Sequence, residues 1–389
     1  MDGVILPDAA WRTRPGVLAL TRALGAGQTR FVGGSVRDTL LGLEVADVDV
    51  ATPLDPREVI DRVEAVRLKA VPTGINHGTI TVVTPDGPIE VTTLRRDVAT
   101  DGRHATVVFS TDWQEDAARR DFTINALYAD PDTGKIFDYF GGQDDLAAGR
   151  VRFIGDPYRR IAEDHLRILR FFRFHARFGR KIDAQGLEAC AMRANDLMAL
   201  SRERIASELL KLLVAPRALP AVALMVEHGI LLPVLPEIDA GGITRLAALV
   251  DRETKPDAIR RLAALLPGTG KAAEEVGARL KLSKADRKRL VSATEPLGEE
   301  GPRGLAYRIG PAWALDRLLL AGVDVAPLHG WTPPALPVGG GALVARGITA
   351  GPEVARLLRR IETRWIAAGF PETAERLVDE ELAGHVSER

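Results

Sequence analysis

Asp47-Val48-Asp49 places two carboxylates two residues apart in a segment that alternates polar and apolar from Asp47 to Thr52. That is the period of a half-buried strand, on which residues i and i+2 point to the same side. Two carboxylates so placed repel unless a cation lies between them, which makes Asp47 and Asp49 candidate ligands for Mg²⁺ arriving with substrate phosphates. Ions held there would activate an attacking hydroxyl and stabilise a leaving pyrophosphate. A solvated strand edge also carries such pairs. Upstream, however, lies Gly33-Gly34-Ser35-Val36-Arg37-Asp38 at a strand-to-helix junction. Its two glycines let the backbone approach a phosphate, free N–H groups at the helix start receive the oxygens, and Arg37 adds a forked donor.

Three further clusters carry charge in patterns that a wetted surface does not require. Glu90 lies between Ile89 and Val91 in a strand-like run, and an acid so flanked needs a partner, either the same cation or a neighbouring Arg. Arg119-Arg120-Asp121 runs into the apolar Phe122-Thr123-Ile124. Its guanidiniums are able to hold a triphosphate while Asp121 meets a ribose hydroxyl; the alternative is a structural ion pair at the sheet margin. Last, Glu163-Asp164-x-x-Arg167-x-x-Arg170-x-x-Arg173 repeats in steps of three, which keeps Asp164, Arg167 and Arg170 near one face of a helix. Ile168, Leu169, Phe171, Phe172 and Phe174 are interleaved with them, so the apolar side serves the core and the Arg line a site.

The elements that must hold these groups read from the same sequence. Thr29 to Val32 is a strand entering the Gly-Gly turn, followed by a short helix from Ser35 to Leu41. Asp55 to Ala65 is a helix with Pro56 at its first position. Strands are expected at Arg67–Val71, Gly78–Val83 and Ile89–Leu94, the last two joined through Pro85-Asp86-Gly87-Pro88. Asp97 to Ser110 lacks a period and reads as a loop. Strands return at Ile124–Tyr128 and Lys135–Tyr139, and Gly141-Gly142 is a hinge. From Pro157 the pattern is helical: Asp156 caps and Gly179 closes a helix of about six turns. Further helices are expected near 183–197, 201–214, 217–229 and 354–368, while the Gly-, Ala-, Leu- and Pro-rich stretch 240–350 holds helices only loosely placed. The fold class is α+β, a small α/β head followed by an all-helical remainder.

A chain of 389 residues is too long for one core, so two or more domains are expected. No apolar run reaches about 18 residues, so no membrane span is read, and the N-terminus lacks the order of a signal peptide. Cys190 is the single cysteine, which excludes an intrachain disulfide and fits a cytoplasmic protein. The net charge of −1 hides a concentration of positive charge. Between Arg150 and Lys181, nine Arg and one Lys stand against Asp156, Glu163 and Asp164, whereas Asp379, Glu380, Glu381 and Glu388 make the C-terminal end acidic. A local basic stretch of this kind suits a polyanionic partner.

Taken in order, GGSVRD, DVD, RRDFTINA, EDHLRILRFFR and SRERIASEL (Ser201–Leu209) resemble the class II tRNA nucleotidyltransferase and bacterial poly(A) polymerase family across residues 29–210, with a weaker echo at Gly347–Trp365. The resemblance implies a nucleotidyltransferase head with a polymerase-beta-like palm (1–140), a helical neck that binds nucleobase and RNA (141–215), a helical body (216–300) and a helical tail that contacts tRNA (301–389). The active site would lie between head and neck. Gly34, with Gly33 in the same turn, and Arg37 match the family's phosphate contacts, and Asp47 and Asp49 its Mg²⁺ ligands. Arg120, with Asp121 beside it, matches a nucleotide-binding position. Asp164, Arg167, Arg170 and Arg173 match the neck helix, the first two as base readers. Glu90 stands outside these motifs.

The implied activity is template-independent addition of C, C and A to the 3′ end of tRNA from CTP and ATP. Poly(A)-adding members carry a doubly basic, aromatic-rich stretch after the metal strand and often a long basic tail. Here Pro72-Thr73-Gly74-Ile75-Asn76-His77-Gly78-Thr79 and the acidic tail resemble the tRNA branch. His77 reads as a turn residue. The seven scattered His, with no His-Asp pair, imply that the phosphohydrolase domain of some relatives is absent. Base choice has a simple physical form: C and A both present an amino donor beside a ring-nitrogen acceptor, which a carboxylate at Asp164 and a donor at Arg167 would satisfy, whereas U and G present the reverse. Poly(A) addition, partial addition of the CCA end, and a tRNA-binding protein on a retired catalytic fold are the alternatives, and the intact Asp47 and Asp49 count against the last.

Overall fold

The computed structural model describes residues 4–100 and 105–387. The chain forms two compact units, one ending at Val234 and one beginning at Leu235. Among the described residues the first unit holds nine strands: β1 (Arg30–Val32), β2 (Asp49–Thr52), β3 (Lys69–Gly74), β4 (Thr79–Thr84), β5 (Gly87–Thr93), β6 (Arg95–Thr100), β7 (Ala105–Phe109), β8 (Leu127–Ala129) and β9 (Ile136–Asp138). Seven form one mixed sheet in the order β3-β4-β5-β2-β1-β8-β9, and β6 and β7 pair with each other. Within the large sheet β2 and β5 run parallel. Val50, Ile80, Val82, Ile89 and Val91 are buried from these strands, as the period-2 pattern requires.

Helices α1 (Pro15–Leu24), α2 (Gly34–Leu40) and α3 (Pro56–Ala65) belong to the sheet; α2 packs on β1 and β8, and α3 on β3 and β4. Asp55 caps α3 by accepting from Arg57 N–H at 2.9 Å, with Pro56 in the first turn where its missing N–H costs nothing. Then follow α4 (Trp113–Ala118), α5 (Gly142–Ala148), α6 (Pro157–Glu163), α7 (Arg167–Phe178), α8 (Ala184–Met192), α9 (Arg202–Leu213) and α10 (Ala218–Glu227). Phe153 stacks on Phe171 of α7 at 5.5 Å, and Phe122 meets Phe174 edge-on at 5.5 Å. These rings join the segment after α4 to α7, while the other flank of α7 packs on α9 and α10.

The second unit is helical throughout its described length: α11 (Ala240–Val250), α12 (Ala258–Leu265), α13 (Gly270–Arg279), α14 (Lys284–Thr294), α15 (Pro302–Ile309), α16 (Pro311–Ala321), α17 (Gly340–Val344), α18 (Pro352–Ala367) and α19 (Glu375–Ser387). One cluster gathers Leu305, Ala306, Ala314 and Leu318, another Leu343, Leu357, Ile361, Trp365 and Val378. No helix is long and apolar enough to cross a membrane among the described residues.

Three expectations need correction. The stretch Asp97–Ser110, read as a loop, contributes most of the β6–β7 hairpin, with residues 101–104 outside the described part. The β-branched residues Val107 and Val108 favour strand, but Arg95, Arg96 and Asp97 mask the alternation. The strand expected from Asp47 begins at Asp49, although the alternation holds: Val48 and Val50 are buried while Asp47 is exposed and Asp49 half-buried. The six-turn helix from Pro157 is two helices. Asp164 between them is extended (φ −149°, ψ 105°), and its Oδ1 accepts from Leu166 N–H at 3.2 Å. A carboxylate that bonds its own backbone two residues on competes with the helical ladder and breaks it.

Candidate active site

β1 ends at Val32 and the chain turns at Gly33, whose φ of +68° and ψ of −118° form a conformation that side chains with a Cβ avoid. Gly33 N–H donates to the Leu127 carbonyl on β8 at 3.1 Å, and Ser35 Oγ donates back to the Val32 carbonyl at 3.2 Å, so the turn is tied to the sheet on both sides. Arg120 Nη1 lies 3.6 Å from where a Cβ on Gly33 would sit. Arg37 is placed differently from the phosphate donor expected of it. It is buried, with Nε 2.8 Å from Asp38 Oδ1, Nη1 donating to the Asn125 side-chain carbonyl, and its plane 4.5 Å from the Phe178 ring. Burial pulls its pKa below the usual guanidinium value. Arg37 braces the turn next to Gly34, and Asp38 in turn accepts from Arg177 of α7 at 3.0 Å.

The carboxylates stand beside this turn. β1 and β2 pair antiparallel through Arg30–Ala51 and Phe31–Val50; carried one step further, the register sets Val32 opposite Asp49, so the glycine turn and Asp49 leave the sheet together. On the other side of β2, Asp49 is the register partner of Glu90 on β5. Glu90 is exposed and has no ion-pair partner among the described residues, so it does not suffer the burial that its apolar neighbours predicted. Asp49 has its pKa raised to about 6, first by burial, then by Glu90 and Asp47, with Arg120 acting the other way. Such a group gains from a cation. Among the described residues no three His, Cys, Asp or Glu side chains form a ready-made metal group.

Arg119, Arg120 and Asp121 divide their tasks. Arg119 and Arg120 both bind Asp116 of α4, at 2.7 and 3.2 Å, and Arg120 Nε donates to Tyr128 Oη at 3.0 Å. Although burial on its own raises the Asp116 pKa, Arg120, Arg119 and the Tyr128 hydroxyl bring it down to about 2. Asp121 takes partners other than Arg120. Its Oδ1 accepts from Asn125 at 2.9 Å and from Phe122 N–H at 2.8 Å, and its Oδ2 from Arg170 Nε at 2.8 Å. Burial opposes ionisation there, yet these donors hold Asp121 below the usual carboxylate range.

The basic helix α7 is held by acids drawn from four places. Arg167 donates to Glu163 at 2.6 Å and to the Arg119 carbonyl at 3.1 Å; Arg170 binds Asp121; Arg173 donates to buried Glu208 of α9 at 2.6 Å; Arg177 reaches Asp38. Asp164, at the helix break, is gripped by Arg204 of α9, whose Nη2 is 3.1 Å from each carboxylate oxygen. Asp116, Asn125, Tyr128, Arg204 and Glu208 were not singled out by the sequence reading. Arg204 and Glu208 have the i,i+4 spacing that puts both on one face of α9 behind the Ser201 cap, which was the available signal. His77 lies in the turn Ile75–His77, where its backbone carbonyl accepts from Arg95.

The arrangement combines a glycine turn, adjoining carboxylates, and an Arg that lies over the turn and acts electrostatically on Asp49. Residues 29–152 match the family described as Poly A polymerase head domain, and residues 179–241 match the probable RNA and SrmB-binding site of polymerase A. The chain is 35% identical to the mitochondrial CCA tRNA nucleotidyltransferase 1 of Mus musculus over 92% of its own length and 86% of that protein's. It is 36% identical to the Homo sapiens protein of the same name, over 88% and 84%. Its fold is similar to the crystal structure of the Bacillus stearothermophilus CCA-adding enzyme in complex with CTP, with a TM-score of 0.77, 26% identity, and coverage of 96% and 98%. On this extent of likeness, spanning both compact units, the chain belongs to the CCA tRNA nucleotidyltransferase family.

Proposed function

We propose that this protein completes the 3′ end of tRNA, adding C, C and A in turn from CTP and ATP and releasing pyrophosphate at each step. The observation that carries the reading is the adjacency of the Gly33-Gly34 turn, Asp49 and Arg120 at the end of β1 and the start of β2. The turn and Arg120 receive the triphosphate, while Asp47 and Asp49 face the atoms that react. Asp164 and Arg167 read the base by accepting from the amino group and donating to the ring nitrogen. That reading requires a change of partner at Arg167, whose Nη1 Glu163 now holds, whereas Asp164 Oδ2 accepts from Arg204 with a lone pair to spare; hydrogen bonds of this kind often rearrange when the substrate binds.

The carboxylate pair suits a hard divalent cation, Mg²⁺ by its preference for one or two carboxylates supplemented by phosphate oxygens. Burial, then Glu90 and Asp47, raise the Asp49 pKa, so its ionised form would gain from a nearby cation. When bound, such an ion supplies charge neutralisation at the attacking 3′-oxygen and the departing pyrophosphate. Glu90, register partner of Asp49, is placed to be a third carboxylate. Within the two compact units we further assign a head to 1–140, a neck to 141–215, a body to 216–300 and a tail to 301–389, the tail gripping tRNA. A single cysteine, buried, fits a reducing compartment, and we assign the protein to the cytoplasm.

The test is incubation of tRNA lacking CCA with Mg²⁺ and each NTP, alone and in combination, followed by sequencing of the products. Ordered C, C, A addition is expected. Addition of A without limit would make the protein a poly(A) polymerase, and no addition with intact tRNA binding would make it a binding protein.

A further inference from the structure

Arg120 has three nitrogen atoms, and the protein occupies two of them. Its Nε donates to Tyr128 Oη at 3.0 Å and its Nη2 to Asp116 Oδ2 at 3.2 Å, while the Tyr128 hydroxyl donates to that same Oδ2 at 2.6 Å. The three side chains close a triangle in which each member holds the other two. Asp116 and Tyr128 are almost wholly buried, at 1% and 0% exposure. The second oxygen of Asp116 is anchored independently, by Arg119 Nε at 2.8 Å and by the backbone N–H of Arg95 at 3.3 Å. Trp113 packs edge-on against the Tyr128 ring at 5.7 Å. What remains is Nη1, and it is the atom that lies over the Gly33 turn.

We propose that Tyr128 and Asp116 are positioning residues that aim the free Nη1 edge of Arg120 at the phosphates of the incoming nucleotide, an assignment that rests on Arg120 contacting the triphosphate. A free Arg must surrender most of its rotamer freedom to meet a phosphate. Arg120 has surrendered it on folding. Its charge therefore points at one place before substrate arrives, which is the condition for strong electrostatic stabilisation. Neither Tyr128 nor Asp116 is placed to touch the base, so their influence falls on phosphate affinity and leaves base choice alone.

The experiment compares Tyr128→Phe, Asp116→Asn and Arg120→Ala with the parent protein, measuring KM and kcat for CTP and for ATP, inhibition by inorganic pyrophosphate, and Tm. Tyr128→Phe keeps the ring and removes only the hydroxyl that closes the triangle. It is expected to raise KM for CTP and ATP by a common factor on the order of tenfold and to weaken pyrophosphate inhibition similarly, as misplacement of an aligned group does. The preference for CTP over UTP should not move. Asp116→Asn should shift the same quantities further, with a fall in Tm. If Arg120→Ala weakens pyrophosphate inhibition while both other variants keep the parent values, or change Tm alone, the triangle is only structural and the proposal is overturned. If Arg120→Ala itself keeps the parent KM and pyrophosphate inhibition, the phosphate role of Arg120 is wrong and the proposal falls with it.

Discussion

Arg204 holds Asp164 by a single nitrogen, its Nη2 standing 3.1 Å from both carboxylate oxygens. Oδ1 also accepts from Leu166 N–H at 3.2 Å, so the lone pair left open lies on Oδ2, and the carboxylate is oriented with one acceptor site to spare. If it accepts from the amino group of C or A, its loss costs discrimination as well as rate. A bidentate side-chain contact to a base is worth ~1–3 kcal/mol, or about fivefold to 150-fold. Asp164→Ala should therefore lower the ratio of kcat/KM for CTP over UTP within that range. Arg173→Ala, which frees buried Glu208 instead, should slow all nucleotides evenly. An unchanged ratio in Asp164→Ala, with activity reduced, would place base selection elsewhere.

Asp47→Ala and Asp49→Ala should each abolish addition of C and of A while leaving tRNA binding intact. Turnover and a filter-binding or gel-shift assay separate the two effects. Near-normal turnover in either variant would remove the metal assignment.

Asp49→Asn should be inactive yet more stable than the parent at neutral pH in the presence of chelator. The folded-state pKa of Asp49 is raised to about 6, so above that pH the fold carries a charge that the unfolded chain carries more easily. For a half-buried group the penalty is about 1–3 kcal/mol after allowance for solvent. The gain in Tm should shrink as pH falls from about 6 towards the ordinary carboxylate value of 3.8, where both states are protonated. A Tm difference that is flat across this window would show that Asp49 is not destabilised by its neighbours.

Gly33→Ala should cost about 1–3 kcal/mol, because of the backbone conformation itself. A new Cβ would find its nearest neighbours, Arg120 Nη1 and the Asn125 carbonyl, at 3.6 Å, which is ordinary contact. Relief of the strain would move the turn, so KM for both nucleotides should rise. Denaturant unfolding and nucleotide kinetics test the two halves separately.

Binding of tRNA should weaken steeply with salt despite a net charge of −1, since each phosphate neutralised releases counterions. A flat response between low and physiological ionic strength would argue against a basic RNA surface.

The local parts of this structure were legible in the sequence. The cap at Asp156, the helix starts at Asp55 and Ser201, the glycine turn, and the alternation that buries Val48 and Val50 all depend on residues within a few positions of each other. What escaped the reading depends on distant partners or on side chain–backbone competition. Arg177 meets Asp38 139 residues away, and Arg204 meets Asp164 across 40. No period records such pairs, so Arg37 read as a free donor when Asp38 and Asn125 claim it. The break at Asp164 turned on one carboxylate preferring its own backbone to the ladder, in a segment whose apolar spacing runs straight through.

The acid-paired arginines of α7 bear on how long a nucleotide stays. A phosphate that approaches Arg170 finds a guanidinium already satisfied by Asp121, so it gains only the difference between two anionic partners. Partner exchange of this kind tempers affinity while preserving direction. A helix of bare arginines would hold pyrophosphate as tenaciously as it held the triphosphate. An enzyme that must empty its pocket after every addition, and refill it with a different nucleotide for the last, is better served by loose retention, and its turnover is then free to be set by chemistry and by movement of the RNA end.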